Sequence, residues 1–153
     1  MIAMQFSKKM IIPAIVLMVL GVLVAVGPWT FAPVCEVHTA ENPDGLWVTT
    51  MANKTLPMPC GYTARAEIGV GAATVILGGM MLFATAIGSI VSLAAMAAVM
   101  GGATIALPAA LTKTCALTSH PCNTGTAPFL WVMGIVLILF GVGLVVYRKK
   151  LAK

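Results

Sequence analysis

Residues 86–122, AIGSIVSLAAMAAVMGGATIALPAALTKTCALTSHPC, decide the fold. The run from 86 to 111 carries no charged residue and is long enough to cross a bilayer, since about 20 apolar residues span a hydrocarbon core roughly 30 Å thick. Pro108 interrupts its end, Cys115 follows seven residues later, and the dipeptide Pro121-Cys122 closes the polar stretch. The same order stands upstream, where Pro28 precedes Cys35 by seven residues and Pro59-Cys60 closes a longer loop. All four cysteines of the chain therefore fall in two polar stretches between apolar runs. This arrangement predicts two membrane hairpins, each with its own cysteine pair.

Working outward, four runs satisfy the length requirement: residues 10–30, 66–85, 86–111 and 127–147. They use nearly the whole 153-residue chain and leave no stretch for a soluble domain. Composition agrees, because 60% apolar and 8% charged residues, with a mean hydropathy of +1.04, cannot solvate the surface of a soluble fold. The expected fold class is an all-α integral membrane protein, four transmembrane helices arranged as two pseudo-repeated hairpins, with a small disulfide-braced extracytoplasmic loop region. A single domain spans 1–153, with hairpin one over 1–85 and hairpin two over 86–153.

The net charge of +5 does not indicate nucleic acid. Six of the nine basic residues, Lys8, Lys9, Arg148, Lys149, Lys150 and Lys153, flank the outer ends of the first and last runs. Lys and Arg beside spans collect on the cytoplasmic side, so both termini are expected in the cytoplasm of a multi-pass inner (plasma) membrane protein, with both cysteine loops outside. Lys8-Lys9 followed by an apolar run and Ala25-Val26-Gly27 imitates a secretory signal. Its length, the proline after the cut, and Trp29 with Phe31 as interfacial anchors favour a retained helix.

Local signals fill in the rest. Gly27-Pro28 stops the first helix, Asn42-Pro43-Asp44-Gly45 is a strong turn, and residues 46–51 (LWVTTM) are β-prone, which makes a small hairpin in the first loop. Gly69, Gly71, Gly78 and Gly79 on the second run, and Gly134 with Gly141 on the fourth, form small-residue faces suited to close helix packing.

Cysteines outside the membrane meet an oxidising compartment, so the default for Cys35, Cys60, Cys115 and Cys122 is two structural disulfides. Four cysteines allow three pairings, and the repeat favours Cys35 with Cys60 and Cys115 with Cys122. A redox relay is the rival reading, weakened by the absence of Cys-x-x-Cys. A third is a soft-metal site, for which Met58 and His120 are candidates beside the cysteines, with His38 and Met51 more remote, since Cys, Met and His suit copper(I). Arg65 and Glu67 stand where the second run enters the membrane. Ionisable groups at such depth are functional or paired. Otherwise Glu67 complements the helix N-terminal dipole while Arg65 snorkels to the interface.

The segments 33–36 (PVCE), 58–67 (MPCGYTARAE), 107–115 (LPAALTKTC) and 120–128 (HPCNTGTAP), in order at helix boundaries, resemble the family of small prokaryotic membrane proteins catalogued as domain of unknown function 4418. The resemblance covers almost the whole chain. It implies a four-helix membrane protein and brings no activity with it. No nucleophile–base pair, phosphate loop, acidic metal cage or haem-type histidine pair is present in the sequence, so an enzyme is not the favoured class and no cofactor is expected. The leading expectation is an accessory or assembly subunit that binds a larger membrane protein, or a second copy of itself, through glycine-rich helix faces. The alternatives are an extracytoplasmic thiol-disulfide or copper protein and, resting on Glu67 and Arg65, a small transporter or channel.

Overall fold

The computed structural model describes residues 2–32, 34–35, 47–49, 52–84, 86–112 and 121–151. Cys115, His120, His38, Met51 and the turn at 42–45 lie outside these residues. Four helices are long and apolar enough to cross a membrane. Helix α1 runs Ile2–Val26, tolerating Pro13 in its interior, and tightens into a 3-10 turn at Gly27–Trp29, where Pro28 cannot donate an amide. A two-stranded antiparallel hairpin follows, β1 (Trp47–Thr49) paired with β2 (Thr55–Pro57) in the register Trp47 to Pro57 and Thr49 to Thr55. Asn53 lies between the strands at φ 57°, the left-handed region that asparagine tolerates better than most residues. The β-prone segment of the first loop thus forms the expected hairpin.

Helix α2, Pro59–Phe83, begins seven residues before the apolar run that marked it in the sequence. Pro59 does not block it, because at the first helical position the missing N–H has no intrahelical partner to lose and the fixed φ suits the helix. Helix α3, Ile87–Ala106, gives way at Leu107–Leu111 to a π-helical turn that contains Pro108. A second π-helical turn, Cys122–Thr126, leads without a break into α4, Ala127–Leu151. Large apolar side chains such as Ile12, Phe83 and Leu139 lie exposed around the outside, as a lipid-facing surface requires.

Helix α1 packs chiefly on α2 and α3 on α4, while the two hairpins meet mainly along α2 and α3. Leu17, Met81, Ile90 and Leu137 are among the fully buried side chains of the core. Glycines set the close approach within each hairpin. A Cβ on Gly71 would stand 2.5 Å from the carbonyl oxygen of Gly21, and one on Gly78 would stand 2.9 Å from that of Ala14. Across α3 and α4, a Cβ on Gly134 would stand 2.7 Å from the Gly101 carbonyl oxygen and one on Gly141 2.5 Å from that of Ala94. The four contacts correspond pairwise: Gly21 and Ala14 each lie 80 positions before Gly101 and Ala94, and Gly71 and Gly78 each lie 63 before Gly134 and Gly141.

The glycine faces read from sequence are therefore divided. Gly71, Gly78, Gly134 and Gly141 are consumed inside the chain, whereas Gly69 and Gly79 have nothing within 4 Å of a Cβ.

At the cysteine end, polar and aromatic contacts join the hairpins. The Thr126 hydroxyl donates to the Ala32 carbonyl at 2.8 Å, Thr63 and Thr112 share a hydrogen bond at 2.7 Å, and Phe31 meets the edge of Phe129 at 5.1 Å between centroids. Thr126→Val keeps the shape but removes the donor. It is expected to lower stability by about 0.5–1.5 kcal/mol, read as equilibrium unfolding in mixed detergent micelles. At the opposite end, the buried Arg148 guanidinium donates to the Met10 sulfur, so the basic last turn of α4 lies against the first span.

Candidate functional site

Two helix starts and the loop leaving α1 deliver the cysteines to one place. Cys35 follows the exit from the 3-10 turn, held where the Val34 amide donates to the Pro28 carbonyl at 3.2 Å. Cys60 is the second residue of α2, and Cys122 opens the π-helical turn before α4. Their three sulfurs lie within 4.8 Å of one another, and all three residues are buried. The Cys35 thiol donates to the Cys122 sulfur at 3.2 Å, and the Cys60 thiol points to the Cys35 carbonyl at 4.0 Å. Met58 is buried in the same cluster, with Val34 and Ala64. π-helical turns recur at functional sites because the extra residue re-aims a side chain, and here one carries Cys122 inward.

The repeat favoured Cys35 with Cys60, and the described sulfurs add a contact that it did not indicate. The closest approach is between Cys35 and Cys122, which belong to different hairpins, and among the described residues no sulfur–sulfur bond is present. Disulfide bracing is thus not shown among Cys35, Cys60 and Cys122, and the Cys115 partner of the pairing expected in hairpin two lies outside the described residues. The physical reason for the Cys35–Cys122 approach is the contact network at this end: Thr126 on Ala32 and Phe129 on Phe31 draw the start of α4 onto the exit of α1.

Burial pushes the Cys35 thiol up to about 11, with the Cys122 thiol and Cys60 adding to the rise against a lowering backbone hydrogen bond from Cys122. A thiol so placed is protonated at neutral pH. That is the reverse of the lowered thiol that serves as a redox nucleophile.

The second candidate pair separates. Arg65 is exposed, as a snorkelling side chain requires, whereas Glu67 is 0% exposed. Glu67 does not complement the N-terminal dipole, because no acidic residue lies in the first turn of α2. With the helix starting at Pro59, Glu67 stands eight residues in, about 12 Å along the axis. Neither carboxylate oxygen has a hydrogen-bond partner among the described residues. Thr104 faces it from α3, itself fully buried.

The convergence of Cys35 and Cys122 had no signal in the spacing of the chain. The depth of Glu67 did have one, in the rule that proline favours the first helical position. Compared with known proteins, residues 17–147 match the family model described as Domain of unknown function (DUF4418). No curated protein and no solved structure matches the chain.

Proposed function

Because this chain belongs to the DUF4418 family, whose function is unknown, its role has to come from its own site, and we propose that it is an extracytoplasmic soft-metal-binding membrane protein. One observation carries the reading: three buried cysteine sulfurs, two from helix starts and one from the loop after α1, stand within 4.8 Å of one another. A single disulfide needs two. Three converging thiols with the thioether of Met58 in the same buried cluster make a donor set that suits copper(I) above harder ions. In a tetrahedral thiolate site, bonds of about 2.3 Å hold sulfurs just under 4 Å apart, so ligation asks for small side-chain movements only. The thiols would give up protons on binding, which the metal's charge offsets in a way that burial alone does not.

The basic flanks of the first and last helices support cytoplasmic termini and an outward-facing thiol cluster. The matched glycine contacts, 80 and 63 positions apart, support reading the hairpins as parallel copies about an axis normal to the membrane.

The accessory-subunit reading stands second. Gly69, Gly79, Gly88, Gly102 and Gly143 have nothing over them, which leaves small-residue surface on α2, α3 and α4 for another membrane protein.

Titrating the fully reduced protein with copper(I) against a chromophoric chelator separates the two. The metal reading expects one tightly held ion per chain and at least a 100-fold loss of affinity in Cys60→Ser, since even outer-shell changes cost metal sites 10–100-fold. Retention no greater than that of a variant lacking Cys35, Cys60 and Cys122 would remove the metal reading and leave the helix faces to carry function.

A further inference from the structure

The interior of the bundle holds one carboxylate that the thiol cluster does not use. Glu67 is 0% exposed, and both its oxygens lack a hydrogen-bond partner among the described residues. An isolated charge in such a place is costly, so the group must be neutralised.

Among the described residues no side chain nearby can do it. Arg65, two positions away on the same helix, points outward and is exposed. Between Met10 and Val26 on α1, along all of α3, and from Ala127 to Val146 on α4, the sequence has no acidic, basic, tyrosine, histidine or cysteine residue. On α2, Tyr62 is exposed and Cys60 lies two turns away in the thiol cluster. Arg148 is at the other end of the bundle, against Met10.

Thr104 decides the form of the neutral group. Its hydroxyl donates to the Met100 carbonyl at 3.0 Å, which leaves the lone pairs of its oxygen for Glu67. Lone pairs complement an acid O–H and do nothing for a carboxylate. A bound alkali cation would need several oxygens, and Thr74 turns its hydroxyl back onto the Val70 carbonyl at 2.8 Å. A proton needs one acceptor.

The corresponding places on α4 and α1 do without the polar pair. Leu130 lies 63 positions after Glu67, Val24 lies 80 before Thr104, and both are 0% exposed. Hydrocarbon fills the corresponding places, so packing does not call for a carboxyl group.

We propose that Glu67 is a proton-binding site inside the bundle, held as the neutral acid facing the Thr104 hydroxyl and exchanging with solvent past Thr63 and Thr112. Thr63 lies one turn from Glu67 toward the cysteine end and is bonded to Thr112 at 2.7 Å, which is itself only half-buried. This site stands independently of the metal reading.

The test uses the full chain in proteoliposomes and N,N′-dicyclohexylcarbodiimide, an apolar reagent that attacks protonated carboxyls, with adducts located by peptide mass spectrometry. Modification at Glu67 is expected at neutral pH, unaffected by sodium, with a rate that falls about tenfold per pH unit once the acid ionises. The adduct should be absent from Glu67→Gln. No adduct at Glu67, a rate indifferent to pH, or protection by sodium would each overturn the assignment, the last in favour of a cation site. Because the adduct is located on the wild-type chain, the result does not depend on the variant folding.

Discussion

Gly71→Leu is expected to destabilise the protein by about 3 kcal/mol or more, at or beyond the upper end of what overpacking costs. The reason is the kind of atom in the way. A Cβ at Gly71 would stand 2.5 Å from the carbonyl oxygen of Gly21 and 2.7 Å from both the backbone nitrogen and the Cβ of Ala25. A flexible side chain could swing aside, but main chain cannot move without carrying α1 with it. Separation of α1 from α2 also has little to oppose it in lipid, where close van der Waals contact, and not the hydrophobic effect, holds helices together. Gly79→Leu is the matched control, since nothing lies within 4 Å of its Cβ; it should change stability by no more than about 0.5 kcal/mol. Unfolding both variants in mixed micelles compares them directly, and equal losses would mean that the glycine crossing does not set the α1–α2 distance.

Mild oxidation of the reduced protein is expected to join Cys35 to Cys122 first. The two sulfurs stand 3.2 Å apart, against the roughly 2 Å of a disulfide, so closure asks for about 1 Å of movement. The link would bridge residues 87 positions apart. Constraining an unfolded chain over a loop of that length stabilises the folded state by about 4–5 kcal/mol in the chain-entropy account. Peptide mapping gives the connectivity. A second readout is a chain cut between α2 and α3, whose halves should migrate together until reductant is added. A first link between Cys35 and Cys60 would contradict the cross-hairpin geometry and restore the pairing within hairpin one.

Much of the fold was legible because the bilayer imposes a length on apolar runs. Residues 86–111 anticipated α3 and its π-helical turn closely, and Gly27-Pro28 marked the end of α1. The apolar run beginning at residue 66 showed the start of α2 too late, since Pro59, seven residues earlier, forms the first helical residue. That shift of seven residues converts Glu67 from an interfacial group into a buried one. The glycines announced close packing without announcing the partner: adjacent Gly78 and Gly79 point to α1 and to open space respectively. The thiol cluster was least legible. Its geometry depends on Phe129 reaching Phe31 and Thr126 reaching Ala32, contacts between residues nearly a hundred positions apart that no local pattern encodes.

The glycine crossings also bear on biogenesis. Each lies between helices adjacent in the chain, Gly21 with Gly71 and Gly101 with Gly134, so hairpin one holds all of its own tightest contacts once Phe83 has left the ribosome. It can close in the bilayer while α3 and α4 are still being translated. Docking of the two halves then comes last, and Cys122 reaches Cys35 only at that stage. The thiol cluster is in this sense a marker of completed assembly, formed when both halves have been inserted and have met.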